Sequence, residues 1–484
     1  MSALHHTLFI VGTVAISCLT AEIATSLPLL SIQGNAPTAD AATLHKPASP
    51  NAFAQPASNL SFEERMPFNL GHSLFKKLWV SSPSSTTASD GLGPLFNARS
   101  CMRCHVRDGR GHPPDVGQLK PATSTVIHLS IAPQNEQQET LLAQGKLGVI
   151  PEPAYGNQLQ DMSIQGLPAE GRIALEYDEH TVTLADGEQV SLRKPRITIT
   201  DLSYGPFHPD TMMSMRVAPA MVGLGLLEAI SEADLLAHED PEDLNQDGIS
   251  GHANRVWDYK TQQTAIGRFG WKAGHPTIEQ QNSMALRNDI GISNTLFPAG
   301  FADCTEAQSL CQSLPDGNSQ HLDGVEASDD MVKMLTFYTQ HLAVPDKRNR
   351  HSGSVERGEQ LFSRIGCSQC HIPSYQTRSD TVASLADQTI WPYTDLLLHD
   401  MGEGLADHRP EYQANGREWR TPALWGIGLT QMVSGHTQFL HDGRARNLQE
   451  AILWHGGEAD AARQHYSQLT ANERKDLIQF LESL

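Results

Sequence analysis

Positive charge and long apolar runs are both scarce in this chain of 484 residues. Lys and Arg number 35 against 55 Asp and Glu, and the resulting net charge of -20 argues against nucleic acid as a partner. Only residues 8–19 form an extended apolar stretch, and they are too few to span a bilayer comfortably. We therefore expect a globular chain with no membrane span in its mature form, long enough for two or three hydrophobic cores.

The apolar stretch at residues 8–19 is typical of a secretory signal peptide, which predicts a periplasmic protein. No Lys or Arg precedes it, so His5, His6 and the amino terminus stand where the positive flank is usual. We assign residues 1–33 to this signal region. Residues 34–59 are rich in Ala, Pro, Ser and Thr without an apolar period, and we predict a flexible linker there.

Cysteine is scarce too, yet four of the seven cysteines fall in two copies of one motif. The two copies of Cys-x-x-Cys-His are Cys101, Cys104 and His105, and Cys367, Cys370 and His371. Two thiols at this spacing can reach the two vinyl groups of one haem, and the adjacent imidazole then meets the iron. A shared zinc site would explain the thiols but not the His that follows each pair. The motifs predict two covalently bound c-type haems.

Three cysteines remain outside the motifs. Cys304 and Cys311 are separated by a short polar segment and read as a local disulfide in an oxidising compartment, with two buried free thiols as the alternative. Cys18 ends a loose match to a lipid-attachment box, in which Ala replaces the usual Leu. Lipid anchoring through Cys18 is therefore a second way in which the protein could be held in the periplasm.

Between residues 121 and 215 the pattern changes from helical to alternating, which predicts a β-rich insertion. The strand-like runs are 124–131, 173–177, 181–184 and 189–192. The last two runs are separated by a segment that contains Asp186-Gly187, a dipeptide that favours a hairpin turn.

An internal repeat follows each haem motif. Residues 216–226 and 420–429 share Arg, Pro-Ala and Gly-x-Gly-Leu in the same order. Helical spacing leads into the second motif and recurs near the end of the chain, at 355–362, 447–455 and 471–481. We predict a mainly α fold with two cytochrome c-like haem domains. Residues 60–345 form the first, enlarged by the β-rich insertion, and residues 346–484 form the second.

Several longer motifs resemble those of one family, namely 93–101 with 108–111, then 267–273, 441–446 and 454–459. From residue 60 to the end the chain is similar to the bacterial di-haem oxidoreductases, also labelled thiol oxidoreductases, which are distant relatives of the di-haem cytochrome c peroxidases. The resemblance implies that one haem relays electrons while the other reacts. It implies a peroxidase-like enzyme that works with a small redox protein or electron donor and with peroxide or another small substrate.

Two other functions stay open at this point. A non-catalytic di-haem electron carrier would have both irons saturated by protein ligands, although a carrier needs far fewer residues. A haem-dependent thiol oxidoreductase fits the second label of the family. The chain has no further Cys-x-x-Cys to carry disulfide exchange, so any thiol chemistry would occur at a haem.

The sixth ligand of each iron decides its role, because an iron with two protein ligands transfers electrons and an iron with an open position can bind peroxide. For the C-terminal haem we predict His455, with Met401 and Met432 as rivals. For the N-terminal haem, Gln281 could line an open distal pocket or Met284 could close it, and Asp289 or Glu279 could serve as the acid-base group. Trp271 and Trp454 are candidate aromatic stepping stones for electrons.

A possible calcium loop occupies residues 243–251. Asp243, Asn245 and Asp247 supply oxygen ligands at alternating positions, and Gly248 stands where the chain must turn. Asn254 occupies the twelfth position, where a bidentate Glu is expected. The alternative is an Asx-rich turn that binds no ion.

Overall fold

The computed structural model describes residues 42–44, 46–117 and 121–484, so the predicted signal region and Cys18 lie outside the described residues. The fold is mixed, with 29% helix and 19% strand arranged in several small sheets. The prediction of a mainly α fold with two cytochrome c-like domains is therefore wrong. Helical periodicity was clear only near the haem motifs, whereas much of the remaining chain pairs as strands or runs as irregular backbone.

The α-helices of the described residues are short, and none exceeds thirteen residues. They are α1 (Arg65–Lys76), α2 (Cys101–Cys104), α3 (Glu136–Ala143), α4 (Leu224–Glu228), α5 (Glu232–Leu236), α6 (Ile278–Ala285), α7 (Ser309–Gln312), α8 (Asp329–Gln340), α9 (Gly353–Arg364), α10 (Thr430–Ser434), α11 (Leu448–Leu453), α12 (Asp460–Gln468) and α13 (Ala471–Ser483).

The strands of the described residues pair in two-stranded sheets. They are β1 (Thr43–Leu44), β2 (Leu95–Phe96), β3 (Thr125–Ser130), β4 (Met162–Ser163), β5 (Arg172–Thr183), β6 (Gln189–Thr200), β7 (Met212–Val217), β8 (Arg255–Asp258), β9 (Gln263–Ile266), β10 (Val344–Pro345), β11 (Tyr375–Gln376), β12 (Thr389–Ile390), β13 (Leu398–Asp400) and β14 (Glu418–Arg420). The pairs are β1 with β10, β2 with β4, β3 with β7, β5 with β6, β8 with β9, β11 with β12 and β13 with β14.

Each haem motif is preceded by a twelve-residue helix that crosses a second helix at a glycine. A Cβ at Gly71 of α1 would collide with the carbonyl oxygen of Met334 in α8, and one at Gly358 of α9 would collide with that of Asp476 in α13. Only glycine permits this close approach of the two backbones. The same crossing therefore occurs in both halves of the chain, which agrees with the internal repeat.

The repeated Gly-x-Gly-Leu sequences also have the same local structure. Gly223, with φ 70°, precedes α4, and Gly426, with φ 75°, precedes a 3-10 helix at Ile427–Leu429. Both glycines adopt the left-handed conformation, which L residues with a side chain rarely tolerate. This requirement explains why glycine recurs at these two positions.

The β-rich insertion contains the predicted hairpin. Residues 173–177 and 181–183 are parts of one strand, β5, which pairs antiparallel with β6 along twelve residues, and Leu184 lies just beyond its end. The tip of this hairpin packs on the C-terminal half of the chain, where Arg474 contacts Asp186 at 2.6 Å and Glu188 at 2.7 Å. An insertion in the first half thus covers part of the second.

Two large hydrophobic clusters form the interior, and each draws residues from both halves of the chain. The first contains Phe75 and Tyr338 together with Trp425, and the second contains Phe362 and Phe480 together with Trp271. Because each cluster contains residues from both halves, the same packing supports both haem motifs.

Three smaller predictions can be compared with the structure. Part of the predicted linker is built into the fold, because β1 pairs in parallel with β10 and Phe53 is 2% exposed. Cys304 and Cys311 form a disulfide with their Cα atoms 6.2 Å apart, as predicted. Within the described ranges, no helix combines the length and the apolar character that crossing a membrane requires.

Candidate functional site

The first Cys-x-x-Cys-His motif borders a cavity of about 680 Å³. Cys101 and Cys104 are unpaired thiols at the two ends of α2, and His105 follows directly. Nδ1 of His105 lies 2.8 Å from the carbonyl oxygen of Pro219. A carbonyl can only accept a hydrogen bond, so Nδ1 carries the proton and Nε2 keeps the lone pair that a metal needs. Burial lowers the pKa of His105 to about 4, which keeps the ring neutral.

The second motif repeats this arrangement. Nδ1 of His371 lies 2.8 Å from the carbonyl oxygen of Tyr393, and burial lowers the pKa of His371 to about 4. The helix before each motif packs a phenylalanine beside the imidazole, with ring centroids 6.1 Å apart for Phe75 and His105 and also for Phe362 and His371. Both halves therefore offer a neutral, oriented imidazole beside two thiols.

His455, the predicted sixth ligand of the C-terminal haem, lies two residues after the end of α11. Its Nδ1 lies 2.8 Å from the carbonyl oxygen of Ala451, so Nε2 is left as the free ring nitrogen. Burial lowers the pKa of His455. Burial also lowers the pKa of His371, and His455 contributes to that lowering. Of the rivals, Met432 is exposed and Met401 packs at the edge of the second hydrophobic cluster.

The distal candidates of the N-terminal haem separate into two groups. Gln281, Met284 and Asp289 border the same cavity as His105, whereas Glu279 forms an ion pair with exposed Lys260 at 2.7 Å. Oε1 of Gln281 is buried and has no hydrogen-bond partner among the described residues. Three of the four candidates are therefore placed at the cavity.

Asp289 lies on the side of the cavity that carries the cysteines. Its Oδ1 accepts a hydrogen bond from Gln158 at 2.8 Å, and burial raises its pKa to about 6. Burial and then Asp289 raise the pKa of both Cys101 and Cys104 to about 12.

The segments that lead into α6 and α11 share one register. A backbone bridge joins Phe269 to His275 in the first half, and a bridge joins Phe439 to Ala445 at the same spacing in the second. Thr277 then caps α6 and Asn447 caps α11, again at matching positions. The matching residues of the two segments differ by a constant residue number. Applying the same difference further along makes Ala285 the counterpart of His455. Ala285 borders the cavity, and its methyl group cannot ligate an iron.

A buried cluster of charges adjoins the cavity, and sequence reasoning missed it. Glu411 contacts Arg216 at 2.8 Å and Arg409 at 3.1 Å, and Lys272 contacts Asp407 at 2.9 Å. Burial opposes ionisation of Glu411, but the two guanidinium groups hold its pKa well below its usual range. Arg216 begins the repeated segment, whereas residues 407–411 have no periodicity that would predict their burial.

A second missed cluster lies beside Cys370. His399 contacts Asp395 at 2.8 Å through Nε2 and Glu458 at 2.6 Å through Nδ1. Burial opposes protonation of His399, yet the carboxylates raise its pKa well above the usual value. The second motif therefore has at its edge a buried His whose two carboxylate partners favour the protonated ring.

The proposed calcium ligands lie in an exposed loop. Oδ1 of Asn245 accepts a hydrogen bond from the amide of Asp247 at 2.9 Å, and the Asp243 carboxylate accepts one from the amide of Gly248 at 3.2 Å. Asn254, at the twelfth position, donates instead to the Lys272 carbonyl oxygen at 2.7 Å. These contacts are those of an Asx-rich turn, and calcium binding stays a prediction.

The paired thiols and the oriented imidazoles fit haem in both halves of the chain, and the first motif also borders a cavity. A sequence model of the family described as "Di-haem oxidoreductase, putative peroxidase" matches residues 32–484, nearly the whole chain. The chain therefore belongs to this di-haem oxidoreductase family, which confirms the resemblance, and haem is its cofactor. No curated protein matches the sequence.

Proposed function

We propose that this protein is a periplasmic, peroxidase-like enzyme with two covalently bound c-type haems. Cys101 and Cys104 would bind one haem and Cys367 and Cys370 the other. The bound haems supply reversible one-electron chemistry, and an iron with a free position can take a peroxide oxygen. His105 is the proximal ligand of the reactive haem, with Gln281 and Asp289 on the walls of its cavity.

The observation that carries this proposal is that His455 in the C-terminal half corresponds to Ala285 in the N-terminal half. His371 and His455 provide two imidazoles in the C-terminal half, which suits an electron-transfer haem. At that one position the N-terminal half offers only the methyl group of Ala285. This difference favours an enzyme over an electron carrier, because a carrier would have both irons saturated by the protein.

Trp271 supports transfer of electrons between the halves. It borders the N-terminal cavity but packs within the second hydrophobic cluster, and its indole N–H donates to the Val217 carbonyl oxygen at 2.8 Å. Trp454 also packs in the second cluster, beside His455 in sequence. A small redox protein would reduce the C-terminal haem, and the net charge of -20 would favour a basic donor.

The disulfide between Cys304 and Cys311 supports an oxidising compartment such as the periplasm. Covalent attachment of haem is tested by the mass of the protein purified from a periplasm that contains the attachment machinery. The expected mass exceeds that of the polypeptide by two haems. Loss of one haem is expected for Cys101→Ala/Cys104→Ala, with the second haem retained.

Optical and electron paramagnetic resonance spectra of the oxidised and half-reduced protein test the assignment of ligands. We expect one low-spin iron with two His ligands and one iron that binds added cyanide. His455→Ala should open the C-terminal haem, so that cyanide binds at two irons. If both irons of the parent protein are saturated in every redox state and peroxide does not react, the proposed enzyme function is wrong.

A further inference from the structure

His275 presents an imidazole to the cavity of the first haem motif, and its Nδ1 is buried without a hydrogen-bond partner in the part of the chain that the structure describes. The backbone of His275 is fixed by its bridge to Phe269. A Cβ at Gly270 would lie 3.7 Å from Oε1 of Gln281 and 3.9 Å from Cδ2 of His275. The two polar side chains therefore converge on one part of the cavity.

The register that relates α6 to α11 shows that this pair belongs to the first half alone. His275 corresponds to Ala445, and Gln281 corresponds to Ala451. The half that has His455 in place of Ala285 thus lacks both polar groups. The N-terminal half, which has no counterpart of His455, has both His275 and Gln281. Polar side chains of this kind can exchange protons with a bound molecule and hold it by hydrogen bonds.

From this geometry we infer that His275 is the acid-base residue that moves the proton of peroxide at the N-terminal haem, with Gln281 orienting the peroxide. The inference rests on the proposed function and deepens it. Asp289 then has a different task, because it faces the cysteines and already accepts a hydrogen bond from Gln158.

The surroundings of His275 suit this role. Burial lowers its pKa to about 4, so the ring is neutral at pH 7 and can accept a proton. The Glu411 carboxylate opposes this lowering and Arg216 reinforces it. His128 also borders the cavity, and burial keeps it neutral as well. A buried carboxylate close to the ring would stabilise the imidazolium that forms for a moment.

The proton transfer by His275 is one part of the reduction of H₂O₂ to two water molecules. His275 accepts the proton from the peroxide oxygen nearer the iron and returns it to the farther oxygen, which leaves as water when the O–O bond breaks. The two electrons would be supplied by the bound haems and replaced by the electron donor. Two protons from solvent complete the second water molecule.

The test compares His275→Ala with the parent protein in two assays on purified, oxidised holoprotein. The first is the stopped-flow rate constant for reaction with H₂O₂, which should fall about 10²- to 10⁴-fold. The second is the rate constant for cyanide binding, which is not an enzymatic turnover. HCN must lose a proton before it binds iron as the anion, so this rate should also fall. The equilibrium spectrum of the cyanide complex should stay unchanged.

Alanine at position 275 should be tolerated by the fold, because Ala445 holds the same place in the other half. His321→Ala removes an exposed His far along the chain and serves as the matched control. Gln281→Ala should slow the peroxide reaction but leave deprotonation of HCN nearly unaffected.

Two failures can be distinguished. If the parent protein binds no cyanide, the N-terminal iron is closed and the proposed function itself fails. If the parent binds cyanide and reacts with peroxide, but His275→Ala does both at the parental rates, only the role of His275 is overturned. Slower rates of both reactions in this variant alone would support the inference.

Discussion

Lys272→Met should destabilise the protein strongly, although Lys272 touches neither haem motif. Its side chain is fully buried, and Nζ donates to the Asp407 carboxylate at 2.9 Å and to the carbonyl oxygens of Arg409 and Asn415 at 2.9 and 2.7 Å. Methionine fills a similar volume but donates nothing. The substitution therefore removes the nearest cation from the buried Asp407 carboxylate, which keeps Arg216 at 3.8 Å. It also leaves the Arg409 carbonyl oxygen without this donor and the Asn415 carbonyl oxygen with the Glu418 amide at 3.4 Å.

Breaking a buried ion pair by removing one partner costs about 3–5 kcal/mol, because the remaining charge is left uncompensated. Some of this cost is reduced here, since Asp407 also accepts hydrogen bonds from Ser214 Oγ at 2.7 Å and from the Arg409 amide at 3.0 Å. We expect a loss in the free energy of unfolding of about 3 kcal/mol, at the lower end of that range.

Urea denaturation of the holoprotein, followed by far-ultraviolet circular dichroism, measures the loss as a lower midpoint at constant slope. The control is the double variant Lys272→Met/Asp407→Asn, which removes both charges. It should recover at least about 1 kcal/mol relative to Lys272→Met, because residues in direct contact couple by this amount. A cost below about 1 kcal/mol for Lys272→Met, or no recovery in the double variant, would refute the reasoning.

Three further predictions concern the repeated framework. Ala285→His should close the N-terminal iron, giving a second low-spin signal in electron paramagnetic resonance and a slower peroxide reaction; persistence of an exchangeable iron would contradict it. Tyr338→Phe removes a hydrogen bond of 2.7 Å to the buried Asp108 carboxyl group, and urea denaturation should show a loss of about 1–3 kcal/mol. A variant as stable as the parent would exclude a contribution from this bond. Gly358→Ala forces a methyl group into the backbone of α13 and should cost about 1–3 kcal/mol or more in thermal denaturation, whereas an unchanged melting temperature would show that the helices can separate freely.

The parts of the site that were predictable from the sequence depend on short-range spacing. The proposed attachment of one haem to Cys101 and Cys104 requires their three-residue spacing, so the motif carries its own geometry. The hairpin of β5 and β6 follows from alternation and an Asp-Gly turn, and α9 and α13 follow from apolar periodicity. These features are local, and the structure agrees with each of them.

The parts that were missed depend on contacts between distant segments. The prediction of a mainly α fold was wrong because helical periodicity near the motifs does not continue into the regions that fold as short strand pairs. Glu411 and Arg409 gain their roles only when the loop of residues 407–415 reaches the cavity, and their composition alone reads as exposed and polar. The role that we propose for His275 was not predictable from the sequence, because its counterpart, Ala445, is identified only when the two backbone bridges of the distal segments are aligned.

On the proposed assignment of ligands, the two halves of this protein would let one framework support two different irons. The Gly71 and Gly358 crossings, the phenylalanine beside each proximal imidazole and the capped helix after each bridge are the same in both halves. What differs is the set of side chains on the distal segment. In the proposed arrangement, an iron ligated by His455 would need no acid-base group nearby, and an iron facing Ala285 would gain nothing from a buried imidazole unless a molecule binds there. Differentiation of the haems therefore requires changes at few positions, and those positions must change together.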